Sequence, residues 1–240
     1  MARRFFICLG ILTLVSGVFM SCVEGERRPR REMAVSTPLE GVTSAEVEIR
    51  MPAGELEVSG APLDVLMSGS LRFSSRRREP RVHFQKSGDR GFLRIAHRRH
   101  GIFIGASRNQ WDIQLTESIP LDLKLDLGAG EARLDLRGLK VKSLDIDMGV
   151  GELEIDLSDK RSADLEVKID GGIGHGRVYF PSSVGVRVRV DGGLGSVDAP
   201  GFEKRGDVYT NDALGKSPVT IEVSVDAGIG SIDLRMKDSL

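Results

Sequence analysis

One five-residue phrase recurs along this chain and constrains its fold more than any other feature. It reads Asp, any residue, Gly, an apolar residue, Gly. The five copies begin at Asp126, Asp147, Asp170, Asp191 and Asp226. Their second glycines are 21, 23, 21 and 35 residues apart. Glycine makes up 29 of the 240 residues, about twice its usual frequency, and the repeat indicates that much of this excess serves a repeated turn.

Strict alternation of apolar and polar residues surrounds the copies. Leu123, Leu125 and Leu127 lead into the first, and Leu153 and Ile155 follow the second. A period of two is that of a half-buried strand, so each unit is predicted to be strand, glycine turn, strand and return. The apolar residues between the glycines are expected to plug the corner of the core. These residues are Ala129, Val150, Ile173, Leu194 and Ile229.

A two-strand unit of about 21 residues cannot cover its own apolar face and has to stack on its neighbours. We therefore predict an all-β fold in which residues 109–240 form a β-solenoid, right-handed because strand crossovers nearly always take that hand. Residues 44–108 are predicted to form an amino-terminal β region. An antiparallel β-sandwich of the same strands is the alternative.

The amino terminus has the pattern of an export signal. Arg3 and Arg4 precede an apolar run from Phe5 to Phe19, which is too short for a membrane-spanning helix. A cysteine directly after such a run resembles the lipobox of bacterial lipoproteins. That resemblance implies that residues 1–21 are removed and that Cys22 carries the lipid; ordinary secretion is the alternative.

A tether and an envelope location follow from the same region. Residues 22–43 are rich in Arg and Glu and lack apolar periodicity, so they are predicted to be a flexible tether. The lipid would place the protein on the cell envelope. Val23 is not the Asp that retains some lipoproteins at the inner membrane, which favours the outer membrane where the cell has one.

The residues that carry the repeat also carry a family resemblance. The run from Asn109 to Ile113, the segment Pro120 to Leu123, the serial glycine phrases and the closing Gly228 to Ile232 resemble the toast-rack family of bacterial envelope proteins. They are similar more distantly to the C-terminal domain of cell-wall-active antibiotic response proteins. The resemblance implies a stacked all-β fold, export, frequent lipid anchoring, no established enzymatic activity and no cofactor.

The five Asp residues are predicted to form an outward-facing ladder at the spacing of neighbouring strands, about 4.8 Å. Like charges at that distance repel by about 1 kcal/mol per pair in water. In the favoured interpretation each carboxylate accepts hydrogen bonds from the glycine turn that follows it. In the second, neighbouring carboxylates bind divalent cations.

Charge is unevenly distributed although the net charge is −1. Residues 72–108 contain eleven basic and two acidic residues, whereas residues 109–240 carry a net charge of −8. Clustered arginines bind phosphate in forked geometry, so an anionic envelope polymer or lipid is the predicted partner of the basic block; a solvated loop that pairs with the acidic coils is the alternative. Its candidate anion-binding residues are Arg76, Arg77, Arg78, Arg81, Arg98 and Arg99. An envelope protein is the other predicted class of partner.

The sequence points to a binding or scaffold protein of the envelope, in adhesion or stress sensing, and not to an enzyme. The histidines lack metal-ligand spacing, and the glycines lead into strands and not into a phosphate-binding helix. A nucleic-acid partner is not expected of an exported chain, and the oligomeric state stays open. A glycan-active β-helix enzyme and a cation-binding structural protein are the alternatives. Residues 200–215 interrupt the repeat and are predicted either to cap the last coil or to form a binding loop.

Overall fold

A computed structural model describes residues 31–74, 79–97, 109–172, 174–192, 195–228 and 230–237. These residues form sixteen β-strands. The strands are β1 Arg31–Pro38, β2 Ser44–Ala61, β3 Val65–Phe73, β4 Pro80–Ser87, β5 Arg90–His97, β6 Gln110–Thr116, β7 Leu121–Asp135, β8 Val141–Asp156, β9 Leu165–Gly171, β10 His175–Pro181, β11 Gly185–Gly192, β12 Gly195–Asp198, β13 Glu203–Arg205, β14 Val208–Thr210, β15 Thr220–Ala227 and β16 Gly230–Lys237. In the described ranges we find no helix long and apolar enough to cross a membrane.

The strands stack as coils, as the repeat predicts. Strands β2, β7 and β8 each run through a glycine corner, and neighbouring coils pair in parallel and in register, for example Gly54 with Gly130 and Gly130 with Gly151. The parallel ladders between coils establish an all-β, solenoid-like fold and exclude the antiparallel sandwich.

The sixteen strands belong to one continuous sheet, which turns at the glycine corners into two faces that we call the first and the second sheet. The first sheet has the strand order β4-β5-β2-β7-β8-β9-β15-β11-β14-β13, and the second has β1-β3-β6-β2-β7-β8-β10-β16-β12. The amino-terminal halves of β2, β7 and β8 belong to the first sheet and their carboxyl-terminal halves to the second. A single chain segment therefore positions residues on both faces of the stack.

The alternating apolar residues face a common core between the two sheets. Leu144, Ile146 and Met148 before a corner are buried, and Leu153 and Ile155 after it are buried as well. The same core cluster includes Trp111 of β6 and Val58 of β2. The amino-terminal region and the repeats thus share one core, because β6 pairs with β2 as well as with β3.

The order of the coils in space differs from their order in the sequence. Strand β15 lies between β9 and β11, and β16 lies between β10 and β12. The coil that comes last in the sequence, with Asp226, therefore lies between the coils that carry Asp170 and Asp191. We call this arrangement the inverted coil order. The longer spacing around residues 200–215 lets the chain form β11 and the hairpin beyond it first and then return to the position between β9 and β11.

Two sequence-based predictions need correction. Residues 31–38, predicted to lie in the flexible tether, form β1 and pair antiparallel with β3, because Val35 and Met33 pack against the core. The corner residues do not plug the core: Ala129 is exposed and Val150 is 57% exposed. The flanking glycines let the chain turn with that residue on the outside. Ile173, Leu194 and Ile229 lie outside the described residues.

Candidate functional site

The predicted ladder of aspartates exists on the outer face of the first sheet. Residue pairing joins Asp126 to Asp147, Asp147 to Asp170, Asp170 to Asp226 and Asp226 to Asp191. We call these five exposed residues the acidic row. Its spatial order places Asp226 fourth and Asp191 last, because the last coil of the chain is inserted between two earlier ones.

Positive charge closes the acidic row at one end and flanks it along one side. Arg50, which stands where the phrase has Asp, pairs with Asp126 in register, and its Nε lies 3.8 Å from the Asp126 carboxylate. Two residues before the row, Lys124, Asp145 and Lys168 alternate in sign across three neighbouring strands. This alternation offsets part of the repulsion within the row.

Lys168 shows how the side chains of the alternating row, Lys124, Asp145 and Lys168, are held in place. Its Nζ lies 3.1 Å from Glu166. The hydrogen bond to Glu166 is the main reason why the pKa of the lysine is raised, and the negative charges of Glu166, Asp145 and Asp170 raise it further. Lys124 is held in the same way by Glu46 at 3.0 Å. Both lysines stay charged on an exposed face, so the surface is a lattice of fixed charges of both signs.

For the described residues, the prediction that the glycine turns donate hydrogen bonds to these carboxylates is wrong. There, no backbone N–H of a turn donates to any member of the acidic row. The corner N–H groups donate to the neighbouring coil instead: Gly174 to the Gly151 carbonyl at 3.1 Å and Gly228 to the Gly171 carbonyl at 2.9 Å. The Asp side chains project from regular strand positions and stay free of the turn.

The cation-binding interpretation of the row gains no support. Within the parts of the chain that the structure describes, His, Cys, Asp and Glu side chains do not gather in groups of three that would hold a metal ion. Neighbouring members of the row stand side by side on adjacent strands and are exposed to solvent.

Most of the predicted basic block lies outside the described residues. Five of its candidate residues lie outside the described ranges: Arg76, Arg77, Arg78, Arg98 and Arg99. Arg81 is exposed on the edge strand β4. Two other arginines of the block are paired on the sheet surface: Arg90 contacts Asp122 at 2.9 Å, and Arg94 contacts Glu48 at 3.2 Å. Part of the block therefore neutralises the acidic coils.

The segment at residues 200–215 covers the end of the first sheet. Its strands β13 and β14 form a hairpin, and β14 pairs antiparallel with β11. Tyr209 is buried against the core, and Asn211 is buried with its amide bonded to two backbone groups of the β11 segment, Val184 O at 2.7 Å and Val186 N at 2.9 Å. This is the predicted capping role.

Sequence analysis missed one side-chain cluster on the second sheet. His175 Nδ1 lies 2.7 Å from Ser231 Oγ, and His175 Nε2 lies 3.6 Å from Asp233 and 3.3 Å from Arg177 Nη2. Serine, histidine and aspartate are the residue types of a nucleophilic triad. The contacts form only because β10 and β16 are neighbours, and the inverted coil order hides that from the sequence.

The hydrogen bonds of this cluster favour a structural role. Arg177 can only donate, so Nε2 of His175 accepts and Nδ1–H is left to donate to Ser231. His175 is then not placed to take the proton of Ser231. The adjoining cleft, lined by Glu131, Glu152 and Glu154 among others, has a volume of about 60 Å³, far below the roughly 300–1,000 Å³ of ligand pockets.

Comparison with known proteins identifies relatives in sequence and in structure. Residues 24–179 match the family described as the N-terminal domain of toast_rack, DUF2154. A crystal structure from Clostridium sporogenes, described as "a putative cell adhesion protein", is 32% identical with a TM-score of 0.81, covering 87% of this chain and 100% of that one.

A second solved structure is far less similar. It comes from Bacteroides fragilis, is described as "a putative adhesin", and is 8% identical with a TM-score of 0.30, over 86% of this chain and 97% of that one. Among curated proteins, none matches this sequence significantly.

Proposed function

This chain belongs to the toast-rack family, and from that premise we propose that it is a non-enzymatic adhesion module displayed on the cell envelope. The observation that carries the proposal is the likeness to the Clostridium sporogenes protein, which extends over the whole of that chain at 32% identity. A match of this extent makes a shared mode of action the simplest inference.

The geometry suits adhesion. An in-register stack presents the same residue position from several coils side by side. The acidic row and the alternating row beside it therefore form regular strips of charge on an exposed face. Many weak contacts along such strips add up, because each contact made raises the effective concentration for the next. A repetitive surface or polymer of the envelope is the partner class that such a face fits.

The amino terminus supplies the proposed attachment. In this proposal residues 1–21 direct export, Cys22 carries the lipid, and residues 23–30 link the lipid to β1, which starts at Arg31. The stack then stands on the membrane close to its anchor. The exposed Arg81 and the other arginines of the basic block are proposed to meet anionic polymer or lipid at that surface.

A bead assay tests adhesion directly. Cys22 is the only cysteine left once residues 1–21 are removed, so the mature chain without its lipid can be coupled to beads through that thiol in the orientation of the natural anchor. Retention of these beads on isolated envelopes of the producing cell is then measured under flow. We expect higher retention than for beads that carry an unrelated β-protein; equal retention would contradict the proposal.

A matched variant tests the proposed face. The triple substitution Asp147→Asn, Asp170→Asn and Asp226→Asn removes the centre of the acidic row while leaving side-chain size and the buried core unchanged. Beads with this variant should be retained less than wild-type beads at low salt, and the difference should shrink as salt screens the charges.

A further inference from the structure

A cleft opens on the side of the stack opposite the glycine corners, where the chain returns from the second sheet to the first. Two successive return turns form its walls: residues 136–140 between β7 and β8, and residues 157–164 between β8 and β9. We call it the return-turn cleft. Its volume of about 380 Å³ falls within the range of small-molecule sites, roughly 300–1,000 Å³.

The charges that line the return-turn cleft are mostly positive. Lys140, Lys142, Lys160 and Arg161 line it, against the single carboxylate of Asp159. This is the reverse of the domain as a whole, since residues 109–240 carry a net charge of −8. A local excess of cations in a concave site attracts anions and raises their local concentration.

Arg161 is the unusual member of this group, because its side chain is only 5% exposed. Its Nη2 donates to the Val141 carbonyl at 2.6 Å, which fixes the guanidinium between the two turns. Its Nε and Nη1 are buried and meet no hydrogen-bond acceptor within the described residues. A buried guanidinium with two idle donors lacks the partners that such groups normally have.

Asp159 only partly compensates for that buried charge. Its Oδ1 lies 3.7 Å from Arg161 Nη1, beyond hydrogen-bond distance, while its Oδ2 accepts from the Gly138 N–H at 2.8 Å. Burial raises the pKa of Asp159 and lowers the pKa of Arg161, which are the directions expected when neither charge is fully satisfied. Arg161 therefore keeps donors for a further acceptor, although Asp159 Oδ1 is also buried without a donor among the described residues.

The lysines around the cleft are available to such a ligand. Lys142 and Lys160 are exposed and make no hydrogen bond or ion pair with other described residues, while Lys140 donates to the Ser118 carbonyl at 2.9 Å. A carboxylate offers two oxygens and one negative charge. A phosphate group has more oxygens and up to two charges, so it can engage the guanidinium and the lysines together.

We propose that the return-turn cleft is a binding site for a phosphate group, in which Arg161 holds the phosphate oxygens and Lys142 and Lys160 neutralise the remaining charge. The group belongs to a free phosphate ester, to a polymer phosphodiester or to a phospholipid head, which share this chemistry. This site lies away from the acidic row and does not depend on the proposed adhesion.

Calorimetric titration of the purified mature chain tests the proposal, with three probes: inorganic phosphate, glycerol phosphate, and phosphatidylglycerol vesicles with phosphatidylcholine vesicles as their control. We expect binding of at least one phosphate probe, and an increase in Kd of about tenfold or more in Arg161→Gln, the effect of losing charge-assisted hydrogen bonds. Binding of the small probes assigns the site to soluble phosphate groups, and binding of the phosphatidylglycerol vesicles alone assigns it to lipid heads.

A second variant guards against loss of folding in Arg161→Gln. The double substitution Lys142→Ala and Lys160→Ala removes two exposed side chains that make no hydrogen bond or ion pair with the described residues, so the fold should persist while phosphate affinity falls. Lys216→Ala is the matched control, because this exposed lysine lies outside the cleft and its side chain makes no hydrogen bond or ion pair with the described residues; it should bind like the wild type. Absence of binding to every phosphate probe, or equal binding by wild type and both cleft variants, would overturn the proposal.

Discussion

Gly130 lies beside Gly54 of the neighbouring coil, and the carbonyl oxygen of Gly54 occupies the place that a Cβ on Gly130 would need. The same relationship joins Gly151 to the carbonyl of Gly130. Gly130 also has a φ of 135°, which side chains rarely tolerate. The repeated glycine is thus the condition for stacking one coil on the next.

Gly130→Ala should therefore be strongly destabilising. We expect a loss of about 2–3 kcal/mol in the free energy of unfolding, from overpacking and backbone strain together, and a fall in Tm of roughly 4–10 °C in a thermal melt. Gly228→Ala is the control, since a Cβ at that corner glycine meets only ordinary contacts, at 3.5 Å and beyond. Equal melting temperatures for the two variants would contradict the stacking argument.

Asn211 should anchor the capping hairpin. Asn211→Ala removes the bonds to Val184 O and Val186 N and leaves both backbone groups buried. We expect the free energy of unfolding in urea to fall by about 2–4 kcal/mol. Asp212→Ala, at the exposed neighbouring position, should change it by less than about 0.5 kcal/mol. A small effect of Asn211→Ala would refute the anchoring role.

Asp156 makes the stability of the last coil depend on pH. Burial by itself raises the pKa of Asp156, but hydrogen bonds from Lys237, at 2.7 Å, and from Ser158 outweigh that effect and hold it below its ordinary value of 3.8. Because the folded-state pKa is depressed, the carboxylate stabilises the fold above the unfolded-state pKa, and that contribution is lost as the pH falls through the folded-state value.

Asp156→Asn should accordingly lower the free energy of unfolding at pH 7, by about 1–3 kcal/mol for the loss of a charged hydrogen-bond partner. The gap between wild type and variant should narrow steadily as the pH falls below 3.8. Urea unfolding of wild type and variant at a series of pH values measures this gap in the free energy of unfolding. A gap that stays constant from pH 7 to pH 3 would show that the charge of Asp156 has no such role.

Cys22 should be the point of lipid attachment. In cells, Cys22→Ser should abolish incorporation of labelled palmitate and release the chain from the membrane fraction, whereas Cys8→Ser, inside the predicted signal, should change neither. Labelling that survives in Cys22→Ser would rule out the lipoprotein assignment.

Local patterns in the sequence predict the strands, the corners and the rows, because each depends on residues close together in the chain. Alternation at Leu144, Ile146 and Met148 predicts their burial, which the structure confirms. The order of coils is not local: the copies at Asp191 and Asp226 carry the same signal, and nothing in either says which one stacks on Asp170. The cluster at His175 and Ser231 was missed for the same reason.

The return-turn cleft escapes sequence analysis for a different reason. Arg161 sits in a turn with no repeated pattern. Its importance comes from the burial of its side chain and from two donors that meet no acceptor in the described part of the chain. The exposure of Val150 was missed because an apolar residue between glycines reads as a core residue, whereas the corner geometry turns it outward.

The course of the acidic row and the cluster at His175 both depend on the inverted coil order, which cross-linking tests most directly. Cysteines replace Asp170 and Asp226 in one variant and Asp170 and Asp191 in another, with Cys8 and Cys22 changed to Ser in both. Neighbouring strands are about 4.8 Å apart and next-nearest strands nearly twice that, while a disulfide needs Cα atoms within about 7 Å. The structure predicts that the 170–226 pair cross-links under mild oxidation and the 170–191 pair does not; the opposite result would contradict it.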